Sequence, residues 1–415
     1  MTTTFSPAPR IALFLFAHFL SVGAWYVSLG VYMSKGLGFD HIIGAAYGMT
    51  GVASMVSSLI GGMIADRYFP AQRMLGVLQL CAGASLLWVS TIQHSEALFL
   101  AGVGIHYVFV GATAPVAIAI AFWHLPNAER QLPVVRAAGT VGWIVAGLVI
   151  GLWQGSAITP GPMRLAAAVY VLAGLYAFTL PHTPPTAKAE PMNIVRLFGL
   201  DILRSIRSRV LWVFIACLVA VAIPKKFYDS LLNNFLLEKG VTLQAFGVVL
   251  ESTGVQTIGQ IVEAMTLLAL PWVIARLGIK WVMVLGMAAW VLRFLLFANG
   301  FDGGTAILWM VLLGIFIHGL CYDFFFISGQ IWFDKQFDPS MRTRAQALFS
   351  FLLNGIGVTI GANIAGAVYR LNTVAPGQRD WMSIWLVPAA VTFVVMLVFI
   401  SLFKESRRSA APQVA

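Results

Sequence analysis

The chain has 415 residues, of which 59% are hydrophobic and only 10% charged, with a formal net charge of +10. A water-soluble globular domain carries about 25% charged residues, so this composition excludes one. The basic excess belongs to the loops of a membrane protein and calls for no nucleic-acid partner. Twelve apolar stretches follow in order, at 9–33, 41–64, 74–92, 97–123, 134–154, 161–181, 210–236, 244–270, 281–299, 305–328, 345–369 and 382–404. Each is close to or above the ~18 residues that cross a hydrocarbon core about 30 Å thick, and the third and fifth are the least pronounced.

Orientation follows from lysine and arginine. Of the 26, 17 lie in alternate loops, at the stretch ends that border them or at the two termini, 5 in the intervening loops or at their borders and 4 well inside the stretches. That bias predicts an all-α polytopic protein of the bacterial inner (plasma) membrane with both termini cytoplasmic. The first stretch is too long for a cleavable signal and runs straight into the integral pattern. Cys81, Cys217 and Cys321 fall within spans, so a disulfide framework is not expected.

The longest polar interruption runs from about Pro181 to Arg209. It predicts a six-helix half at 1–181, a cytoplasmic linker at 182–209 and a second six-helix half at 210–415. Within the linker, Arg196 to Arg209 is basic and amphipathic, readable as a helix on the inner membrane surface or as a solvated loop. Two halves of six about a central site resemble the major facilitator superfamily. Gly61-Gly62-Met63-Ile64-Ala65-Asp66-Arg67, with Arg73 beyond, resembles that superfamily's cytoplasmic loop motif. Glycine lets helices approach closely, and Asp66 and Arg67 at a helix end are the expected inner-gate groups. A weaker echo, Ala275-Arg276-Leu277-Gly278-Ile279-Lys280, lacks the acid.

Ionisable and amide groups inside a span are costly to keep there, so each is a functional candidate. Gln256, Gln260 and Glu263 share one helix face at i, i+4 and i+7, as do His318 and Tyr322 at i, i+4. Asp323 is rotated away, toward a neighbouring helix or the inner gate. Arg136, Thr140 and Trp143 share a face of span five. Their spacing alone leaves Arg136 either a membrane-end anchor or a site group. Glu263 lies in the inner half of its span, at a depth that would allow pairing with Arg136 across the halves. In Lys225-Lys226-Phe227-Tyr228-Asp229 the acid lies one turn from both lysines, giving an internal ion pair or a substrate contact. Arg293 is expected to pair with a carboxylate, Asp323 first. His18 and His106 read as packed hydrogen-bonding residues, and Phe227, Trp143 and Tyr322 as rings able to stack on a flat ligand. The chain has no phosphate loop, HExxH, Cys/His cluster or nucleophile elbow, so neither ATP drive, a cofactor, a metal nor an enzyme is expected.

Several short stretches, in this order, resemble the nucleoside:proton symporter family. They are Gly23-Ala24-Trp25, Val135-Arg136-Ala137-Ala138-Gly139-Thr140-Val141-Gly142-Trp143, Gly199-Leu200-Asp201, Gly259-Gln260-Ile261-Val262-Glu263, Trp290-Val291-Leu292-Arg293-Phe294 and Tyr322-Asp323-Phe324-Phe325. The resemblance implies proton-coupled nucleoside uptake, with Arg136, Thr140, Trp143, Lys226, Asp229, Gln260, Glu263, His318 and Tyr322 at the substrate. Glu263, alone or with Asp323, is the expected proton carrier, since a carboxylate in a low-dielectric cavity can exchange a proton near neutral pH. The chain departs from the family's better-known pattern at Lys226 and Asp229, which stand where amides are usual. It departs again at His318, where a tyrosine is usual, and at Ala112-Thr113 and Ile118, where Pro-Thr and Asn are usual. The alternative reading is symport of a sugar, glycoside or organic acid, which uses the same hydroxyl-to-carboxylate bonding. A membrane sensor would need a soluble domain that the sequence does not contain. The expected partners are a small solute, protons and the lipid bilayer, and the expected state is a monomer.

Overall fold

A computed structural model describes residues 7–60, 69–185, 194–245, 247–302, 304–338, 341–375 and 377–404. With no water in a bilayer core, a spanning segment must satisfy its own backbone, and these apolar stretches do so as helices. In chain order they are α1 (Pro7–Leu37), α2 (Ile43–Ile60), α3 (Ala71–Val89), α4 (Glu96–His124), α5 (Ala128–Leu152) and α6 (Gly161–Ala177). After the linker come α7 (Arg209–Glu238), α8 (Ser252–Leu277), α9 (Ile279–Ala298), α10 (Leu308–Phe316 then His318–Asp334), α11 (Arg344–Leu371) and α12 (Trp381–Leu402). Among the described residues eight helices are long and apolar enough to cross a membrane, or nine with the two parts of α10 taken as one span bent by 45°.

Hydropathy misplaces one start. The predicted span 244–270 begins inside an antiparallel hairpin, Leu243–Ala245 paired with Val248–Leu250, and the helix runs from Ser252 to Leu277. Similar hairpins, Phe301–Asp302 with Thr305–Ala306 and Thr373–Ala375 with Gln378–Arg379, close α9 to α10 and α11 to α12.

Helices α1 to α6 pack on one another, α1 against α5 and α6 and α3 against α4 and α6; α7 likewise packs on α11 and α12, and α9 on α12. The two sets meet along α2–α11 and α5–α8. At both seams glycines bring backbones together: a Cβ on Gly44 would lie 2.8 Å from Gly366 Cα, and one on Gly151 2.4 Å from Gly254 Cα. Small residues at such crossings give close van der Waals contact in lipid, where no hydrophobic force draws helices together.

The linker is not one continuous amphipathic helix. A turn of helix at Ile194–Leu197 and a 3-10 turn at Leu200–Ser205 are separated by Gly199, whose φ of 66° favours glycine. Asp201 accepts a 2.5 Å bond from Arg344, and Phe198 packs on Phe351 at 4.8 Å, so this segment is docked on the start of α11.

Candidate functional site: charged clusters beside broken helices

Three of the long helices are irregular near the centre of the molecule, and each break exposes backbone that side chains then satisfy. In α1 the regular helix stops at Tyr26 and resumes at Leu29. Asn233 on α7 donates to the Val27 carbonyl at 3.1 Å, Asn234 donates to the Gly30 carbonyl at 3.3 Å, and the Tyr47 hydroxyl donates to the Tyr26 carbonyl at 3.0 Å. In α10 the bend falls at Ile317, and Arg293 Nε donates to the Gly314 carbonyl at 2.9 Å. Beyond it, Asp323–Ile327 is a π-turn, and Phe351–Gly357 of α11 is another. Breaks of this kind in a membrane helix are tolerated where the backbone lines a cavity or is buried in protein.

Beside the break in α1 lies a three-charge cluster. Lys225 Nζ is 2.5 Å and Lys226 Nζ 3.5 Å from the same oxygen, Asp229 Oδ2. Lys226, only 2% exposed, also donates to the Tyr26 hydroxyl at 2.8 Å, and its ammonium lies 5.6 and 5.7 Å from the Tyr26 and Tyr47 ring centres. It thereby ties α7 to α1 and α2. The Tyr26 ring packs edge-on to Trp143 of α5 at 6.1 Å.

A second cluster joins α8 to α10. His318 Nε2 is 3.3 Å from Glu263 Oε2, and its ring stacks on Tyr228 at 5.0 Å and on Tyr322 at 6.3 Å. Asp323 is buried and accepts a 2.6 Å bond from the Thr266 hydroxyl. Arg293 is wholly buried, its guanidinium 4.2 Å from the Tyr228 ring centre and 4.8 Å from that of Trp290. A cation over an aromatic face is attracted by the ring's quadrupole, which offsets part of the burial cost.

At the hairpin end the two sets of helices are locked together. Asp40 Oδ1 accepts from Ser34 at 2.7 Å and from Arg379 at 2.8 Å, with the Tyr369 hydroxyl at 3.4 Å. The Arg379 guanidinium also lies 4.4 Å from the Tyr369 ring centre. Lys35 donates to the Gly377 carbonyl at 2.9 Å, Arg370 to the His41 carbonyl at 2.8 Å, and the Gly155 amide to Glu251 at 2.9 Å. Nearer the termini, Arg136 and Thr140 are exposed, and an apolar cavity of about 560 Å³ opens beside Ala8, Ala12, Val134 and Val135.

Several expectations change in this light. Arg293 does not pair with Asp323: it serves a carbonyl freed by the bend in α10, while Asp323 turns to Thr266 on α8. Glu263 does not reach Arg136, because His318 occupies it. Phe227 is fully buried in the core and offers no stacking face. Lys225, Lys226 and Asp229 form one cluster, and Trp143, Gln260 and Tyr322 are half-buried. His18 lies 3.0 Å from Gln79, and His106 lies 2.9 Å from the Ala82 carbonyl; both are packed. Asp66 and Arg67 lie outside the described residues. Tyr26, Tyr47, Tyr228 and Thr266 were not singled out by sequence. Two of them had a signal there, Tyr26 following directly on Gly23-Ala24-Trp25 and Tyr228 lying inside the charged stretch Lys225 to Asp229.

Apolar helices long enough to cross a membrane, broken beside buried charges and tied together at one end, are the frame of a polytopic membrane protein, and the family that matches is one of transporters and not of enzymes. The chain belongs to the nucleoside H+ symporter family, whose model matches residues 5–408. It is 31% identical over 408 residues to YegT of Escherichia coli K12, covering 96% of this chain and 94% of that one. It is 29% identical over 406 residues to the nucleoside permease NupG of the same strain, covering 95% of each. It is also 29% identical over 408 residues to that strain's xanthosine permease, covering 96% of each. Among solved structures, a point mutant of the nucleoside transporter NupG superposes with a TM-score of 0.88 at 26% identity, covering 96% of this chain and all of that one. A peptide transporter at 17% identity and a TM-score of 0.72 shares the fold.

Proposed function

We propose that the chain imports nucleosides with protons across the bacterial inner membrane by alternating access, as a monomer of twelve spans with both termini in the cytoplasm. The halves at 1–181 and 210–415 rock about the charged clusters, and the linker at 182–209 joins them. The state with Asp40–Arg379 closed then faces the cytoplasm, and Asp66 and Arg67 close the opposite end when the protein faces outward.

The observation that supports this reading is the meeting of aromatic rings beside the buried charges, with a bonded carboxylate, Asp229 or Glu263, on either flank. A nucleoside is a flat heterocycle joined to a ring of hydroxyls. Its base stacks on Trp143 or Tyr322 while Gln260 bonds its edge and Arg136 and Thr140 line the approach. Its ribose hydroxyls donate to Glu263 and displace His318. Lys226 and Asp229 form the floor. Glu263, sharing the coupled proton with Asp323, ties the movement to the proton gradient.

The test is uptake of a panel of labelled nucleosides by cells lacking their own nucleoside systems, with competition by free ribose, free bases and sugar acids. Nucleosides should be taken up and should compete with one another, while free ribose and free bases compete weakly. Competition dominated by sugar acids would move the assignment to an organic-acid symporter.

A further inference from the structure

The second part of α10 opens on His318, and the crossing of α10 with α8 holds that residue against Glu263. A Cβ on Gly259 of α8 would lie 3.0 Å from His318 Cβ, and one on Gly319 of α10 would lie 2.8 Å from Glu263 Cα. Glycine at both positions lets the helices approach closely enough for His318 Nε2 to stand 3.3 Å from Glu263 Oε2. The imidazole is buried between the Tyr228 and Tyr322 rings, tilted 21° and 20° from them. Charged groups reach it from three helices: Asp229 of α7, with Lys225 and Lys226 beyond; Glu263 of α8, with Asp323 beyond; and Arg293 of α9. An ionised Glu263 attracts a positive charge on the ring, while Arg293 repels one. The other ring nitrogen, Nδ1, is buried with no hydrogen-bond partner among the described residues, so Glu263 is the group placed to exchange a proton with the ring.

A symporter carries proton and solute together, and a lone carboxylate serves both poorly. Ionised, Glu263 offers two acceptor oxygens to a pair of vicinal hydroxyls; protonated, it turns one of them into a donor. An imidazole beside it separates the two duties. The acid O–H donates to Nε2, and the proton then crosses: the O–H bond of Glu263 breaks, an Nε2–H bond forms, and the ring becomes an imidazolium with Nδ1 keeping its hydrogen. The positive ring lies between two phenol faces that attract it, and the freed carboxylate accepts the hydroxyls. A tyrosine, usual here in the pattern this chain resembles, has no nitrogen to take the proton.

We infer that His318 is a proton-bearing residue of the transport cycle, which takes the coupled proton from Glu263 when the substrate's hydroxyls occupy that carboxylate and returns it when the substrate leaves. This rests on the proton-coupled nucleoside reading above. Substrate and proton are then held side by side, one on the carboxylate and one on the ring.

The experiment measures nucleoside binding to purified full-length protein by calorimetry from about pH 5 to about pH 8, the range in which imidazole ordinarily titrates. Binding that takes up one proton weakens about tenfold per pH unit on the alkaline side of the titration, and the wild type should show that slope. His318→Gln keeps an N–H that can donate to Glu263 but cannot hold the proton, so its affinity should change less than about twofold over the same range. His318→Tyr should behave alike and serves if the Gln variant folds poorly. Titration in buffers of different ionisation enthalpy should show net proton uptake on binding in the wild type and none in either variant. Infrared difference spectra of the wild type test the site without a variant: no protonated carboxyl band should appear on substrate binding. A slope that persists in the variants, or such a band that vanishes in Glu263→Gln or Asp323→Asn, leaves the proton on a carboxylate and overturns the inference while proton-coupled nucleoside uptake stands. Wild-type binding that does not respond to pH also overturns it, and if no nucleoside accumulates under an imposed proton gradient the reading beneath it falls as well.

Discussion

Replacing Asp40 with asparagine keeps the shape of the lock at the hairpin end and removes its charge. Asp40 Oδ1 gathers Ser34, Tyr369 and Arg379, and Arg379 is only 4% exposed on its side chain while Asp40 is 33% exposed. A hydrogen bond between charged groups contributes about 1.5–3 kcal/mol, which we discount to about 1–2 kcal/mol for the exposed side of the pair. If the lock exists only in the described state, its loss shifts the balance toward the opposite-facing state by roughly 5- to 30-fold. Hydrogen exchange reads this directly, because amide protection reports the free energy of opening. Amides in the hairpin Thr373–Arg379 and in the turn Tyr32–Leu37 should exchange faster by that factor in Asp40→Asn. Arg379→Gln should act similarly, and the double variant should add little, since both remove one interaction. Exchange unchanged within twofold in both single variants would show that the contact does not hold the two sets of helices together.

The other expectations concern the charged clusters and the opposite gate. Glu263→Gln should abolish accumulation of substrate against a gradient while leaving counterflow, and accumulation that stays protonophore-sensitive in that variant would remove Glu263 from proton coupling. Asp229→Asn should cost roughly 3–5 kcal/mol by stranding the buried ammoniums of Lys225 and Lys226, whereas Lys226→Gln, which leaves the 2.5 Å Lys225–Asp229 pair in place, should cost clearly less, as read by thermal unfolding in detergent. Equal losses in the two variants would deny that Lys225 is the main partner of Asp229. Asp66→Asn should lower the maximum uptake rate with less effect on substrate affinity, and an unchanged rate in correctly folded protein would speak against a gate at that position.

Local composition made much of the helical bundle legible, because burial in lipid leaves long apolar runs that need no knowledge of distant contacts. The same averaging failed at α8. Leu243, Val248, Val249 and Leu250 are apolar enough to extend the window, and only Gly247, at φ 78°, marks the turn between the two strands of the hairpin. Charges one helical turn apart were equally legible, so Lys225, Lys226 and Asp229 could be grouped from spacing. Arg293 could not be assigned its partner, since its acceptor is the Gly314 carbonyl, freed by a bend that hydropathy does not register. The contacts of Tyr26 with Lys226 and of Asp40 with Arg379 were hidden for a related reason. Their partners are separated by 200 and 339 positions in the chain, and only the packing of the two sets of helices brings them together.

Reconstituted protein with an imposed proton gradient tests the central claim most directly. Labelled nucleoside should accumulate in proteoliposomes whose interior is made alkaline, above its external concentration, and should leak back to equality when a protonophore is added. Equal final levels with and without the gradient would contradict proton-coupled nucleoside transport.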